Sequence, residues 1–139
     1  MKLIVNTNRI IAALIKDSTS RKLINHLNAE LMVIDFIDEE INEHKEELMS
    51  KSKINESEFN LLLTKLKERL VNIDKNIIST RLEEAKEVMD KIDKDDTYFI
   101  AAALATNSDI WSDDNHFQKQ NKIKIWRTEE LIKKLDQQI

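Results

Sequence analysis

Three carboxylates and one carboxamide are placed, by type and spacing, to do chemistry together: Asn6, Glu40, Asp96 and Asp114. Each stands beside an apolar run. Asn6 follows Leu3-Ile4-Val5, Glu40 comes shortly after Leu31 to Ile34, Asp96 precedes Tyr98 to Ala105, and Asp114 follows Ile110-Trp111. Carboxylates gathered from distant parts of a chain repel one another, and the group persists best when a hard cation such as Mg2+ or Mn2+ neutralises it. Such a cation lowers the pKa of a bound water and stabilises charge on a phosphate during in-line displacement. The chemistry expected is metal-assisted phosphodiester hydrolysis, with no side-chain nucleophile.

Composition removes the main rivals. The 139 residues include no Gly, no Pro and no Cys. No disulfide, thiolate nucleophile or thiolate zinc ligand is possible, and glycine-rich phosphate loops are excluded. The length fits one domain over 1–139, and the 41% hydrophobic content is enough for a core. A net charge of −4 argues against nucleic-acid binding by bulk positive charge, although an acidic metal pocket would itself contribute to that figure. No apolar run approaches membrane-spanning length, and the first is too short and too early for a signal peptide, so the chain reads as cytoplasmic.

Four elements must position the four residues. Lys2 to Val5 reads as a buried parallel strand, followed at once by a helix through Ile10, Ile11, Leu14 and Ile15. Asp17-Ser18-Thr19-Ser20 closes that helix and caps the next, which turns Leu23, Ile24 and Leu27 inward. A second strand fits Leu31 to Ile34, and Asp35 or Asp38 opens a helix running through Glu40, His44 and Met49. Phe59 to Leu70 forms an amphipathic helix, Val71 to Ile73 a short strand, and Ile77 to Ile92 a further helical stretch. Tyr98 to Ala105 is an apolar helix whose alanines imply close packing. Ile110-Trp111 and Ile123 to Trp126 are strands, and Thr128 opens a last helix. Strands alternating with helices imply a parallel sheet covered on both faces. Residues just past the carboxyl ends of its strands meet in one crevice.

Each residue also has an ordinary structural reading. Asn6 caps helices in most proteins, Glu40 favours a helix N-terminus, and Asp113 and Asp114 are turn residues by type. Asp95 and Asp96 both suit an N-cap; Asp96 is expected to face the crevice and Asp95 to cap or share its role. Thr7 and Asn8 hold the turn or hydrogen-bond the ligands, and Ser112 orients an acid or a phosphate. His44 pairs on its own helix surface, and His116 stabilises the turn after Asp114. Arg9, Lys16, Arg21 and Lys22 serve either a solvated face or an RNA backbone.

In four segments the chain resembles the PIN-domain family, which includes VapC-type toxins. "MKLIVNTNRIIAALIKDSTSRKLI" is similar to that family's start, where an aspartate precedes Thr-Asn and an apolar helix. "DFIDEEINEH" resembles its second acidic element at Glu40, "DKDDTYFIAAALA" its third at Asp96, and "IWSDDNHF" its fourth at Asp114 with Ser112 before it. The segments occur in family order over nearly the whole chain. The resemblance implies a three-layer α/β/α fold with a central parallel sheet and Mg2+- or Mn2+-dependent ribonuclease activity. It also implies a homodimer and a small antitoxin partner. Asn6 departs from the pattern. Its amide oxygen can coordinate a cation but brings no charge, so metal affinity and water activation should fall. A natural degenerate member, an introduced inactivating change, and compensation by an acid such as Asp113 are all open.

Two other functions fit parts of the pattern. A PIN-fold module that binds RNA or protein without cleaving it would tolerate Asn6. A phosphoacceptor receiver domain also carries an acidic pocket on a doubly wound sheet. It needs an aspartate ending its third strand and a lysine after its last, and no lysine is well placed here.

Overall fold

In the computed structural model, which describes residues 1–15, 19–34 and 37–138, the first apolar run becomes strand β1 (Lys2–Val5). Leu3, Ile4 and Val5 are all buried, so the strand is covered on both faces. Along the chain follow α1 (Thr7–Ile15), α2 (Thr19–His26), β2 (Glu30–Ile34), α3 (Ile37–Glu43), α4 (Lys45–Ser52), α5 (Glu56–Lys67) and β3 (Leu70–Ile73). Then come α6 (Lys75–Ser79), α7 (Leu82–Met89), a 3-10 turn (Lys94–Asp96), α8 (Thr97–Thr106) and β4 (Asp109–Trp111). A second 3-10 turn (Asn115–Lys119), β5 (Ile125–Trp126) and α9 (Thr128–Gln137) complete the order.

The sheet runs β3-β2-β1-β4-β5 with every pairing parallel. Side-chain alternation divides the interior in two. Leu3 and Val5 join Trp111 and the apolar faces of α1, α2, α5 and α9 in one core. Ile4 and Ile110 join Ala85 and Met89 of α7, Phe99 to Ala103 of α8, and Phe117 in the other. The result is the expected three-layer α/β/α arrangement with a central parallel sheet.

Boundaries differ from the sequence expectation where polar side chains intervene. The helix expected through Met49 divides at His44 into α3 and α4. Asp35, Asp17 and Ser18 lie outside the described residues. The 77–92 stretch divides between α6 and α7, where the Ser79 and Thr80 hydroxyls donate to the carbonyls of Lys75 and Ile77. Hydroxyls bonded in this way compete with the helical ladder. Leu70 keeps the four-residue spacing from Leu66 but opens β3, because the chain turns at Glu68 and Arg69. The last strand begins at Ile125: Gln120 holds both the N–H and the carbonyl of Ile123 in side-chain hydrogen bonds of 2.9 Å.

A chain without glycine must end its helices by other means. Arg21 Nε donates to Ala13 O near the end of α1, and Arg69 donates to Ile24 O and Leu27 O at the end of α2. Lys53 and Asn107 end α4 and α8 in the left-handed conformation, with φ of 58° and 53°.

Candidate metal centre

Strand order reverses between β1 and β4: β2 lies on one side of β1 and β4 on the other. The crevice at such a switch opens past the carboxyl ends of both strands. Asn6 stands at the first of these ends and Ser112 at the second. Asn6 N donates to Trp111 O at 3.0 Å, extending the β1–β4 ladder by one step. The Asn6 side chain is buried and hydrogen-bonded at both its nitrogen and its oxygen. Oδ1 accepts from Asn8 N at 2.9 Å, capping α1, and Nδ2 donates to Ser112 Oγ at 3.3 Å. Ser112 Oγ also accepts from Asp114 N at 3.0 Å, and Asp114 Oδ1 accepts from His116 N at 2.9 Å. A short relay thus fixes the loop after β4 against residue 6.

Asp96 reaches the same crevice from the start of α8. It occupies the N-cap position but makes no capping bond with its side chain. Burial, followed by the charges of Asp93 and Asp114, raises its pKa to about 6; His116 opposes the shift and Asp95 adds to it. His116 Nδ1 lies 3.0 Å from Asp93 Oδ2, 3.4 Å from Asp114 Oδ1 and 3.8 Å from Asp96 Oδ2. Ligand-capable atoms of Asp93, Asp96 and His116 all fall within 4.8 Å of one another. Neither Asp93 nor the His116 ring is expected here from the sequence. The available signal is the three-residue spacing of Asp93 and Asp96 across a 3-10 turn, in which side chains three apart eclipse.

Glu40 approaches from α3 on the other flank. Burial holds its carboxyl above the ordinary range and Glu43 pushes the same way, while the Thr7 hydroxyl and His44 pull it down. Thr7 is itself buried, and its hydroxyl has no hydrogen bond of regular geometry even with Glu40 beside it. The charges that act on Glu40 are Glu43 and His44; those that act on Asp96 are Asp93, Asp114, His116 and Asp95. The two acids thus feel different sets of charges, and Glu40 is tied to the end of β1 through Thr7.

The remaining residues singled out from sequence divide by role. Asn8 is exposed and contributes its backbone N–H. Asp95 is exposed and acts on Asp96 through charge alone. Asp113 turns away from the cluster. Arg9 NH1 contacts its Oδ2 at 2.9 Å, and Thr128 donates to it from N at 2.8 Å and from Oγ1 at 2.7 Å. Asp113 therefore ties the loop to α9 and is poorly placed to compensate for Asn6, whereas Asp93 lies next to Asp96. Arg9 is occupied by the same pairing, Arg21 by Ala13 O, and Lys16 lies outside the described residues. His44, expected to pair with Glu40 one turn before it, stands at the junction of α3 and α4 and lies 3.8 Å from Glu47, acting on Glu40 through charge.

Among the described residues, the buried side-chain atoms lacking a hydrogen bond are Thr7 Oγ1, Asp96 Oδ2 and His116 Nδ1. Folded proteins satisfy nearly all such atoms; Asp96 Oδ2 and His116 Nδ1 lie 3.8 Å apart in this crevice, and Thr7 follows Asn6 in the chain. Unpaired oxygens beside mutually repelling carboxylates, with one imidazole nitrogen, are a donor set that fits a divalent cation.

The sequence matches the PIN domain family over residues 4–136, a span that includes every residue of this crevice. The chain belongs to the PIN-domain family. No curated protein matches the sequence. Among solved structures it is similar to a chain in the crystal structure of VapBC2 from Rickettsia felis bound to a DNA fragment from their promoter. That likeness has a TM-score of 0.69 at 16% identity and covers 91% of this chain and 98% of the other. At that identity the likeness is one of fold. Flanking the crevice of this PIN domain, on the Asp113 side, is a cavity of about 640 Å3 lined by residues including Thr19, Arg127, Glu129 and Lys133. No helix among the described residues is long and apolar enough to cross a membrane.

Proposed function

We propose that residues 1–139 form one PIN domain acting as a Mg2+- or Mn2+-dependent endoribonuclease, the toxin of a toxin–antitoxin pair, weakened by Asn6. The observation that carries this reading is the buried Asp96 Oδ2, which has no hydrogen bond, with Asp93, Asp114 and His116 around it, one relay away from Asn6. Asp96 and Asp114 would hold the ion, with Glu40 on the far flank and Asn6 as a neutral, impaired ligand. When bound, the ion supplies an activated water and charge stabilisation at the phosphate.

The chain's own residues do the rest. Ser112 fixes the Asp114 backbone through its hydroxyl. Glu40, held above its ordinary range, is suited to take and hold a proton beside Thr7. Asn6 keeps one lone pair of its oxygen beside the Asn8 N–H bond but brings no charge, so it offers a cation less than an aspartate would. The flanking cavity has Lys133 in its lining to meet an RNA backbone, while Arg127 there is held by Asp113 O and Asn115 Oδ1. The likeness to a chain of VapBC2 supports a small antitoxin partner. A homodimer and a cytoplasmic location complete the proposal.

A second reading, a PIN-fold module that binds RNA or protein without cleaving it, is favoured by the neutral, already bonded Asn6 amide. The two separate in a paired assay of this chain and Asn6→Asp on RNA, with and without Mn2+. Cleavage by the aspartate variant, and weak or no cleavage by the chain itself, is expected for the nuclease. Silence from both variants at saturating Mn2+ leaves the binding module.

A further inference from the structure

We propose that His116 coordinates the divalent ion directly through Nδ1, together with Asp93 and Asp96, and that this nitrogen moves the preference of the site from Mg2+ toward Mn2+. The inference rests on the reading of this crevice as a divalent-cation site, and it does not depend on RNA being cut.

Geometry supports direct coordination. An octahedral ion with bonds of roughly 2.1 Å sets neighbouring ligands about 3 Å apart and opposite ligands about 4.2 Å apart. The His116 nitrogen lies 3.0 and 3.8 Å from oxygens of Asp93 and Asp96, and the atoms of the trio span no more than 4.8 Å. A histidine that merely paired with one carboxylate would be expected to align a ring N–H with it. Here three carboxylate oxygens stand within 3.8 Å, yet Nδ1 has no aligned hydrogen bond and is sealed from solvent although the side chain is 44% exposed.

The ring is also held in position. The His116 backbone N–H is bonded to Asp114. Phe117, next in the chain, is fully buried and meets Phe99 of α8 edge-on, with ring centroids 6.0 Å apart. One packed aromatic pair thereby fixes the loop bearing His116 to the helix that begins at Asp96. Asp93 and Asp96, with Asp114 beside them, supply at least the charge a divalent ion needs without any contribution from residue 6, which is neutral. An imidazole ligand suits transition metals, whereas Mg2+ favours an all-oxygen shell.

The test is Mn2+ binding to the full chain, followed by electron paramagnetic resonance, with pulsed measurement of nitrogen coupling. One bound Mn2+ coupled to a histidine nitrogen is expected. H116N should lose the coupling and weaken Mn2+ binding roughly tenfold or more, while Mg2+ affinity, read by competition, changes much less. Bound Mn2+ with no nitrogen coupling overturns the proposal, leaves the nuclease reading standing, and makes His116 a counter-charge only. Equal loss of both ions in H116N overturns the metal preference. No bound Mn2+ at all sinks this proposal and the nuclease reading together. The coupling is measured on the unaltered chain, so a folding defect in the variant cannot mask the answer.

Discussion

Asn6 Nδ2 donates to Ser112 Oγ across 3.3 Å, joining the end of β1 to the end of β4. The Asn8 N–H, which can only donate, fixes which end of the amide carries the oxygen. An aspartate at this position keeps the cap, since Asp and Asn cap equally well. The Ser112 bond survives by reversal, with the hydroxyl donating. What changes is charge, placed in a buried site close to Asp114.

Asn6→Asp should therefore lower stability in chelator by about 1–3 kcal/mol, the cost of a buried carboxylate beside like charges. Mn2+ should restore the loss, giving the variant a larger ion-induced rise in melting temperature than the parent chain. Melts with and without Mn2+ measure this directly. Equal ion-induced shifts in the two proteins would remove residue 6 from the ion's surroundings.

Asp96 predicts a pH dependence with a definite sign. Its folded pKa, about 6, lies above the ordinary value of 3.8, so the folded state holds the proton more tightly than the unfolded chain. Below about pH 4 the residue is protonated in both states and costs nothing. As pH rises toward 6 the unfolded chain ionises first and stability falls; above 6 the full penalty is present, on the order of 2 kcal/mol. Asp96→Asn should remove this slope and raise metal-free stability at pH 8. Urea melts at pH 4, 6 and 8 in chelator are the measurement, and an unchanged slope in the variant would contradict the assignment to Asp96.

Asp113 should behave as a structural acid. It accepts two bonds from Thr128, whose hydroxyl in turn accepts from Trp111 Nε1 at 3.0 Å, linking β4 to α9. Asp113→Ala leaves those donors and Arg9 without their partner, at a cost of about 2–4 kcal/mol. Divalent affinity should change little. A large loss of Mn2+ binding with normal stability would instead make Asp113 a ligand.

The contrast between Asp113 and Asp93 shows what the sequence discloses and what it hides. The strands β1, β2 and β4 are legible because their apolar residues run unbroken, and alternation of strand and helix then dictates a parallel sheet with a switch-point crevice. That logic places Asn6, Ser112, Asp96 and Asp114 in one region. It cannot say which of two neighbouring acids turns inward. Asp113 and Asp114 differ only by the position of Thr128, fifteen residues on, and Asp93 enters through the tight 3-10 turn before α8. The His116 ring is set by Phe117 packing on Phe99, a tertiary contact with no local signature. The division of Ile77 to Ile92 is likewise hidden, because the apolar spacing continues across the break at Thr80 and Arg81 between α6 and α7.

The absence of glycine gives a final prediction that is independent of any ion. Lys53, the C-cap of α4, holds φ 58° and ψ 36°, a conformation that costs an ordinary L-residue roughly 1–2 kcal/mol. Glycine adopts it freely but loses more entropy on folding, so Lys53→Gly should stabilise by about 0.5–1 kcal/mol. Asn107 ends α8 at φ 53°, and asparagine tolerates this region, so Asn107→Gly should gain less. Glu68 ends α5 at φ −61°, in the ordinary helical region, where glycine brings only its entropic cost. Glu68→Gly should therefore destabilise by about 0.5–1 kcal/mol. Three identical replacements at three helix ends should thus rank by backbone angle, and urea midpoints measured side by side decide it. If Glu68→Gly proves as stabilising as Lys53→Gly, left-handed strain at Lys53 is not what limits this fold.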